Sequence, residues 1–117
     1  MTRNLAELET AVNGLTKEGK ILDSIEQYYA EGCTFTESDG SSRNSKAEQT
    51  EFLGGFFSSL TSFDGATLHG EATGDDFSAS EWTFNMTGGD GEKIEWNEVL
   101  VRTWADGKVS SEKYYQK

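Results

Sequence analysis

Over residues 4–15 the apolar side chains Leu5, Leu8, Val12 and Leu15 recur at three- and four-residue steps in an otherwise polar segment, the spacing of one face of an α-helix. Gly19 stands where a helix end calls for a left-handed backbone, and Ile21, Leu22, Ile25, Tyr28 and Tyr29 then resume the same period as far as Gly32. A second helix is therefore predicted. Cys33-Thr34-Phe35-Thr36-Glu37 alternates, is rich in β-formers and runs into the turn-prone Ser38-Asp39-Gly40-Ser41-Ser42, which predicts a short strand ending in a loop. Ser45 with Glu48 three residues on has the form of a capping box, each side chain able to satisfy a free backbone N–H at a helix start. The helix that follows carries Phe52, Leu53, Phe56, Phe57 and Leu60 and is expected to be the most buried of the three. Its pair Gly54-Gly55 costs about 1 kcal/mol per glycine relative to alanine, which predicts a closely packed neighbour.

From Phe63 onward the period changes to two, with turn signals at Gly74-Asp75-Asp76, Gly88-Gly89-Asp90-Gly91 and Asp106-Gly107. Four long strands joined by hairpins are predicted, over about 64–73, 77–87, 92–104 and 108–116. Three N-terminal helices with one short strand inserted, packed on a strongly curved antiparallel four-stranded meander, make an α+β fold. With 117 residues, 34% of them hydrophobic, the expectation is a single domain over residues 1–117.

Charge changes the list of partners. Twenty-one acidic residues against 10 basic ones give a formal charge of -11, which opposes sequence-independent nucleic-acid binding and docking on an anionic membrane, since both need clustered Lys and Arg. Three Trp, four Tyr and seven Phe belong in packed surfaces and argue against a disordered acidic chain. A single cysteine, Cys33, forms no intrachain disulfide and no cysteine zinc cage, and it has no basic neighbour in sequence to lower its thiol pKa. One histidine with scattered carboxylates lacks metal-ligand spacing, and no glycine-rich loop leads from a strand into a helix to hold phosphates. The chemistry is expected to need no cofactor and no metal. The N-terminal residues show no basic stretch followed by an apolar run, and no apolar window approaches bilayer length, so a cytoplasmic location is expected.

The order helix, helix, short strand, helix and four antiparallel strands resembles the cone-shaped NTF2-like superfamily, which includes ketosteroid isomerases, SnoaL-like polyketide cyclases and scytalone dehydratase. The residues that carry the resemblance are Tyr28-Tyr29-Ala30-Glu31-Gly32-Cys33-Thr34-Phe35-Thr36, leading into the first strand, and Glu98-Val99-Leu100-Val101-Arg102-Thr103-Trp104-Ala105-Asp106-Gly107-Lys108-Val109 with Glu112-Lys113-Tyr114-Tyr115, similar to the family's last hairpin. The resemblance implies a conical pocket for a small, largely apolar or aromatic ligand. In ketosteroid isomerases a carboxylate shuttles the proton while a tyrosine and a protonated acid donate to the enolate oxygen. Glu37 occupies the place of the base and Glu98 is the nearest match for the protonated acid. The tyrosine's place on the first helix, near Ala11 or Val12, is apolar.

The residues read on their own offer the same candidates. Glu37 could be raised to a neutral pKa by an apolar pocket and act as base, or be one surface carboxylate among many. His69 is the one side chain whose ordinary pKa lies near physiological pH; it either transfers protons with Glu37 or Glu71 or is a hydrogen-bonded structural histidine. Trp82, Phe84 and Met86 share one strand face, and Ile94, Trp96, Glu98, Leu100, Arg102 and Trp104 share another. If these faces line the cone, Glu98 and Arg102 orient a planar ligand carrying a carbonyl or carboxylate, with Tyr28, Phe56, Trp82, Trp96, Trp104 and Tyr115 around it. The other reading is a core or dimer interface in which Glu98 and Arg102 are charge partners. Val99, Val101 and Thr103 on the opposite face favour a homodimer across the sheet, because one helix layer covers only one side. Two functions stay open: a small-ligand protein acting as a cofactor-free isomerase, cyclase or dehydratase by proton transfer next to a carbonyl, and a non-catalytic module for dimerisation or protein association with its cone filled by its own aromatics.

Overall fold

The helical and extended segments form in the predicted order. In a computed structural model describing residues 4–117, α1 is Leu5–Lys17 and α2 is Ile21–Tyr28, separated by Gly19 at φ +78°. That backbone is one L-residues avoid and glycine adopts freely. β1 is Tyr29–Thr36, β2 is Ser42–Arg43, and α3, Lys46–Ser59, starts at Ser45, whose hydroxyl accepts from the Glu48 amide as the capping pattern predicts. β3, Leu60–Thr73, β4, Phe77–Gly88, β5, Lys93–Ala105, and β6, Lys108–Gln116, complete the chain. Asp106 and Gly107 both have positive φ (53° and 77°) and join β5 to β6 in a two-residue turn that matches the twist of the strands.

The sheet differs from the expected four-stranded meander. It has six strands in the order β2-β1-β6-β5-β4-β3. The predicted short strand begins four residues earlier, at Tyr29, because the second helix ends at Tyr28. It runs parallel to β6, with Phe35 opposite Glu112. Parallel pairing between segments some eighty residues apart leaves no local mark on the sequence. Register shifts in the β3–β4 pair at Leu60/Ser62, Phe63/Gly65 and Leu68/Gly70, and in β5–β6 at Thr103/Trp104, bend the sheet around the helices.

Helix α3 is not the most buried helix. Its fully buried residues are Lys46 and Gln49, Phe52 is 49% exposed, and nothing lies within 4 Å of where a Cβ would stand on Gly54 or Gly55. The apolar stripe meets a cavity instead of a packed layer. On α1, likewise, the deeply buried residues are Glu9, Val12, Asn13 and Thr16, while the leucines of its stripe are half-buried. The core divides in two. Val12, Ile25, Tyr29, Cys33, Phe35, Trp104 and Val109 pack under α1 and α2, and Trp82, Phe84, Met86 and Leu100 pack across the long strands. Burying each of the larger of these side chains contributes roughly 1.5–3 kcal/mol. Ile21 and Tyr114 touch both groups, and the cavity lies between them. Among the described residues no helix is long and apolar enough to cross a membrane.

Candidate active site

The cavity has a volume of about 180 Å³. A dry apolar void of about 150 Å³ already accepts a benzene molecule, so there is room for a one- or two-ring ligand. Its walls include α3 (Phe52, Leu53, Phe56, Phe57), Phe63 of β3, Phe84 and Met86 of β4, and Trp96 and Leu100 of β5; its polar residues include Gln49, Glu37, Glu98, Arg102, Glu112 and Tyr114.

Glu98 is only 8% exposed. Its Oε2 accepts from Trp96 Nε1 at 2.8 Å, and its Oε1 has no hydrogen-bond partner among the described residues. Burial raises its pKa from 4.5 to about 7; the Trp96 bond opposes the rise, and the charges of Glu112 and Glu37 add to it. Four residues along the same face of β5, Arg102 is held by two carboxylates: Nε donates to Glu112 Oε2 at 2.7 Å and Nη1 to Glu9 Oε1 at 2.9 Å. Nη1 also reaches Asn13 Oδ1 at 2.8 Å, and Nε the Tyr29 hydroxyl at 3.0 Å. Its remaining nitrogen, Nη2, has no partner among the described residues although Arg102 lines the cavity.

Glu112 collects three donors: Arg102, the Tyr29 hydroxyl and the Tyr114 hydroxyl, the last at 2.5 Å to Oε1. Burial, with Glu112 beside them, drives the Tyr29 and Tyr114 phenols well above their ordinary range. Tyr114 accepts from Gln49 Nε2 at 3.0 Å, and the Gln49 carbonyl accepts from Arg43 Nε. Arg43 also pairs with Glu37 and lies 3.8 Å over the Phe52 ring. These last contacts mark the rim of the cavity. Cys33 is fully buried in the wall beneath, its thiol pushed up to about 12 by burial and by Glu112. Among the described residues no three His, Cys, Asp or Glu side chains converge as metal ligands.

Of the residues singled out from sequence, the cavity brings together Glu37, Glu98, Phe56, Trp96 and Arg102. The others lie elsewhere. His69 is exposed on β3, its Nε2 2.7 Å from Thr83 Oγ1, whose own proton goes to Asn97 Oδ1 at 2.6 Å. The register shift between Leu68 and Gly70 breaks the alternation, so Glu71 turns instead to Thr10 and Asn13 of α1. Trp82 is fully buried, stacked on Phe84 with its Nε1 on Ser80, and Trp104 sits in the other core group with its Nε1 on Ser78; both are core residues and neither lines the cavity. Tyr28 packs beside the first core group, and Tyr115 is half exposed opposite Val99 on the other face of the sheet. Gln49, Glu112 and Glu9 with Asn13 were not legible as site residues. A polar pair at helical spacing on α1 flanking an apolar stripe, and alternate residues Glu112 and Tyr114 on β6, are the traces they leave.

No protein-family model matches the chain, and no curated protein matches it. Among solved structures, a protein from Mesorhizobium loti described as a SnoaL-like polyketide cyclase superposes with a TM-score of 0.79 at 22% identity, over 98% of this chain and 99% of that one. A second protein so described, from Jannaschia sp. CCS1, gives 0.81 at 14% identity over 100% of this chain and 91% of the other. TerC, co-crystallised with polyporic acid, gives 0.78 at 15% identity over 96% and 90%. This chain has the NTF2-like fold, the α+β cone shared by SnoaL-like and ketosteroid isomerase-like proteins.

Proposed function

We propose that this chain binds a small, largely apolar ligand and transfers a proton on it, next to a carbonyl and without a cofactor, with Glu98 as the group that takes and returns the proton. The observation that carries the reading is the buried carboxyl of Glu98, one oxygen unpartnered, in an aromatic cavity. With a pKa of about 7 both of its forms are populated at neutral pH, the condition under which one carboxyl serves as base and then as acid. Arg102 Nη2 is the donor available to a carbonyl oxygen as negative charge develops on it. Tyr114 does not fill that role, because its proton is held by Glu112. Glu37, engaged by Arg43 at the rim, is assigned to holding the entrance rather than to the chemistry. TerC, co-crystallised with polyporic acid and of the same fold, adds support for a small ligand. The alternative, a non-catalytic association module, needs a filled cone, and Trp82 and Trp104 leave it open.

In D2O the protein is expected to catalyse exchange of the α-hydrogens of a one- or two-ring ketone such as 1-indanone, read by mass spectrometry. The rate should rise with pH to a plateau above about 7, and Glu98→Gln should lower it on the order of 100-fold or more. Equal rates for the two proteins would remove Glu98 from the role.

The proposal includes a homodimer formed through the sheet face away from the helices. Phe77 and Tyr115, 50% and 51% exposed, stand there with Val99 and Val101 between them. Sedimentation at micromolar concentration is expected to give twice the 12.9 kDa of the chain; a pure monomer would exclude it.

A further inference from the structure

Three carboxylates line the cavity, Glu37, Glu98 and Glu112, and a fourth, Glu9, stands behind Arg102. Two guanidiniums oppose them, and both are engaged: Arg43 by Glu37, Gln49 and the Phe52 ring, Arg102 by Glu9, Glu112, Asn13 and Tyr29. Four carboxylates against two guanidiniums leave two negative charges uncompensated when Glu98 is ionised, and one when it is protonated. Among buried and partly buried groups such an excess is screened less than it would be at the open surface.

The excess is felt most at Glu98. The titratable and charged groups around it are Tyr29 and Glu37 from the β1 side, Glu112 and Tyr114 from β6, and Arg102 on its own strand; α1, α2, α3, β3 and β4 bring only neutral side chains to the cavity. The charges that bear on Glu98 are those of Glu112 and Glu37, and both are negative. Its side chain is more than nine-tenths buried, with Oε1 facing the cavity unpartnered. Aromatic rings line the same space, among them those of Phe52, Phe56, Phe57, Phe63, Phe84 and Trp96. Ring faces attract cations, and the Arg43 guanidinium over Phe52 is an instance at the rim.

We infer that the ligand of this cavity is a cation, a small aromatic or alicyclic ammonium compound whose nitrogen pairs with Glu98 and whose apolar body lies against the phenylalanines of α3. The inference rests on the ligand-binding reading above and narrows its ligand class. A carboxylate ligand would add a third uncompensated charge, and a neutral alcohol would gain one hydrogen bond without relieving the excess. An ammonium group supplies the missing charge.

The test is a matched series on the wild-type protein, phenethylamine, 2-phenylethanol and phenylacetate, with binding followed by Trp fluorescence and calorimetry at pH 6 and pH 8. Phenethylamine is expected to bind at least about tenfold more tightly than the alcohol, the scale of one well-placed charged contact, and phenylacetate not measurably. Pairing with ionised Glu98 displaces its proton, so the amine's affinity should rise about tenfold from pH 6 to pH 8, while that of the alcohol stays level. Glu98→Gln should abolish both the preference and its pH dependence. Alcohol or phenylacetate binding as tightly as the amine overturns the cation inference and leaves the ligand-binding reading standing; binding of none of the three overturns both.

Discussion

Arg102→Met is expected to destabilise the protein by about 3–5 kcal/mol, the cost of leaving buried charges without their partner. Glu9 is 0% and Glu112 3% exposed, and both depend on the Arg102 guanidinium. Methionine restores the volume and none of the hydrogen bonds. Against a total stability of about 5–15 kcal/mol for a domain of this kind, the variant stands near the edge of folding, with a thermal midpoint lower on the order of 20 °C. Removing the other charges as well, as Glu9→Gln, Arg102→Met, Glu112→Gln together, should recover much of the loss, because an uncharged buried cluster needs no counter-ion. Urea denaturation across this set checks the account. A single Arg102→Met variant within about 1 kcal/mol of wild type at pH 7 would show that the network is not what holds α1 to the sheet.

Glu98→Gln is expected to act in the opposite direction, raising stability at pH 8 while removing activity. The folded protein holds the Glu98 proton up to about pH 7, whereas an ordinary glutamate releases it near 4.5. Below pH 4.5 both states are protonated and the residue is neutral towards folding. Between 4.5 and 7 the unfolded chain loses the proton first, so stability falls as pH rises. Above 7 the full cost is present, at most about 3 kcal/mol and on the order of 1–3 kcal/mol where the cavity admits water. Glutamine keeps an oxygen for Trp96 Nε1 and carries no charge. Wild type and variant should therefore unfold alike at pH 4 and diverge progressively towards pH 8. A gap that does not widen with pH would mean that Glu98 is not the buried acid of the cavity. A carboxyl that costs the resting protein stability in a cleft is the pattern of a functional group rather than a structural one.

The same two residues show where sequence stops. Glu98 and Arg102 share a strand face by simple alternation, and that much was legible, as were the Ser45 cap, the left-handed Gly19 and the Asp106-Gly107 turn. Each of these is decided by atoms within a few residues of each other. The alternation did not say which face was covered, nor that Trp82 and Trp104 would pack in the core while Trp96 lined the space.

What the sequence by itself determined is therefore the three helices, the short first strand and the four long strands, in their order, with aromatics and carboxylates sharing strand faces; the two-residue β2, in a stretch read as loop, was not among them. Only the tertiary structure decided which of those groups meet. Arg102 reaches Glu9 across 93 positions and Glu112 across 10, Tyr29 joins them because β1 pairs in parallel with β6, and the apolar stripe of α3 fronts a cavity because the sheet bends away from it. These are consequences of register and curvature, set by the summed packing of the whole chain, and no short window of residues contains the distances that make Glu98 a buried acid.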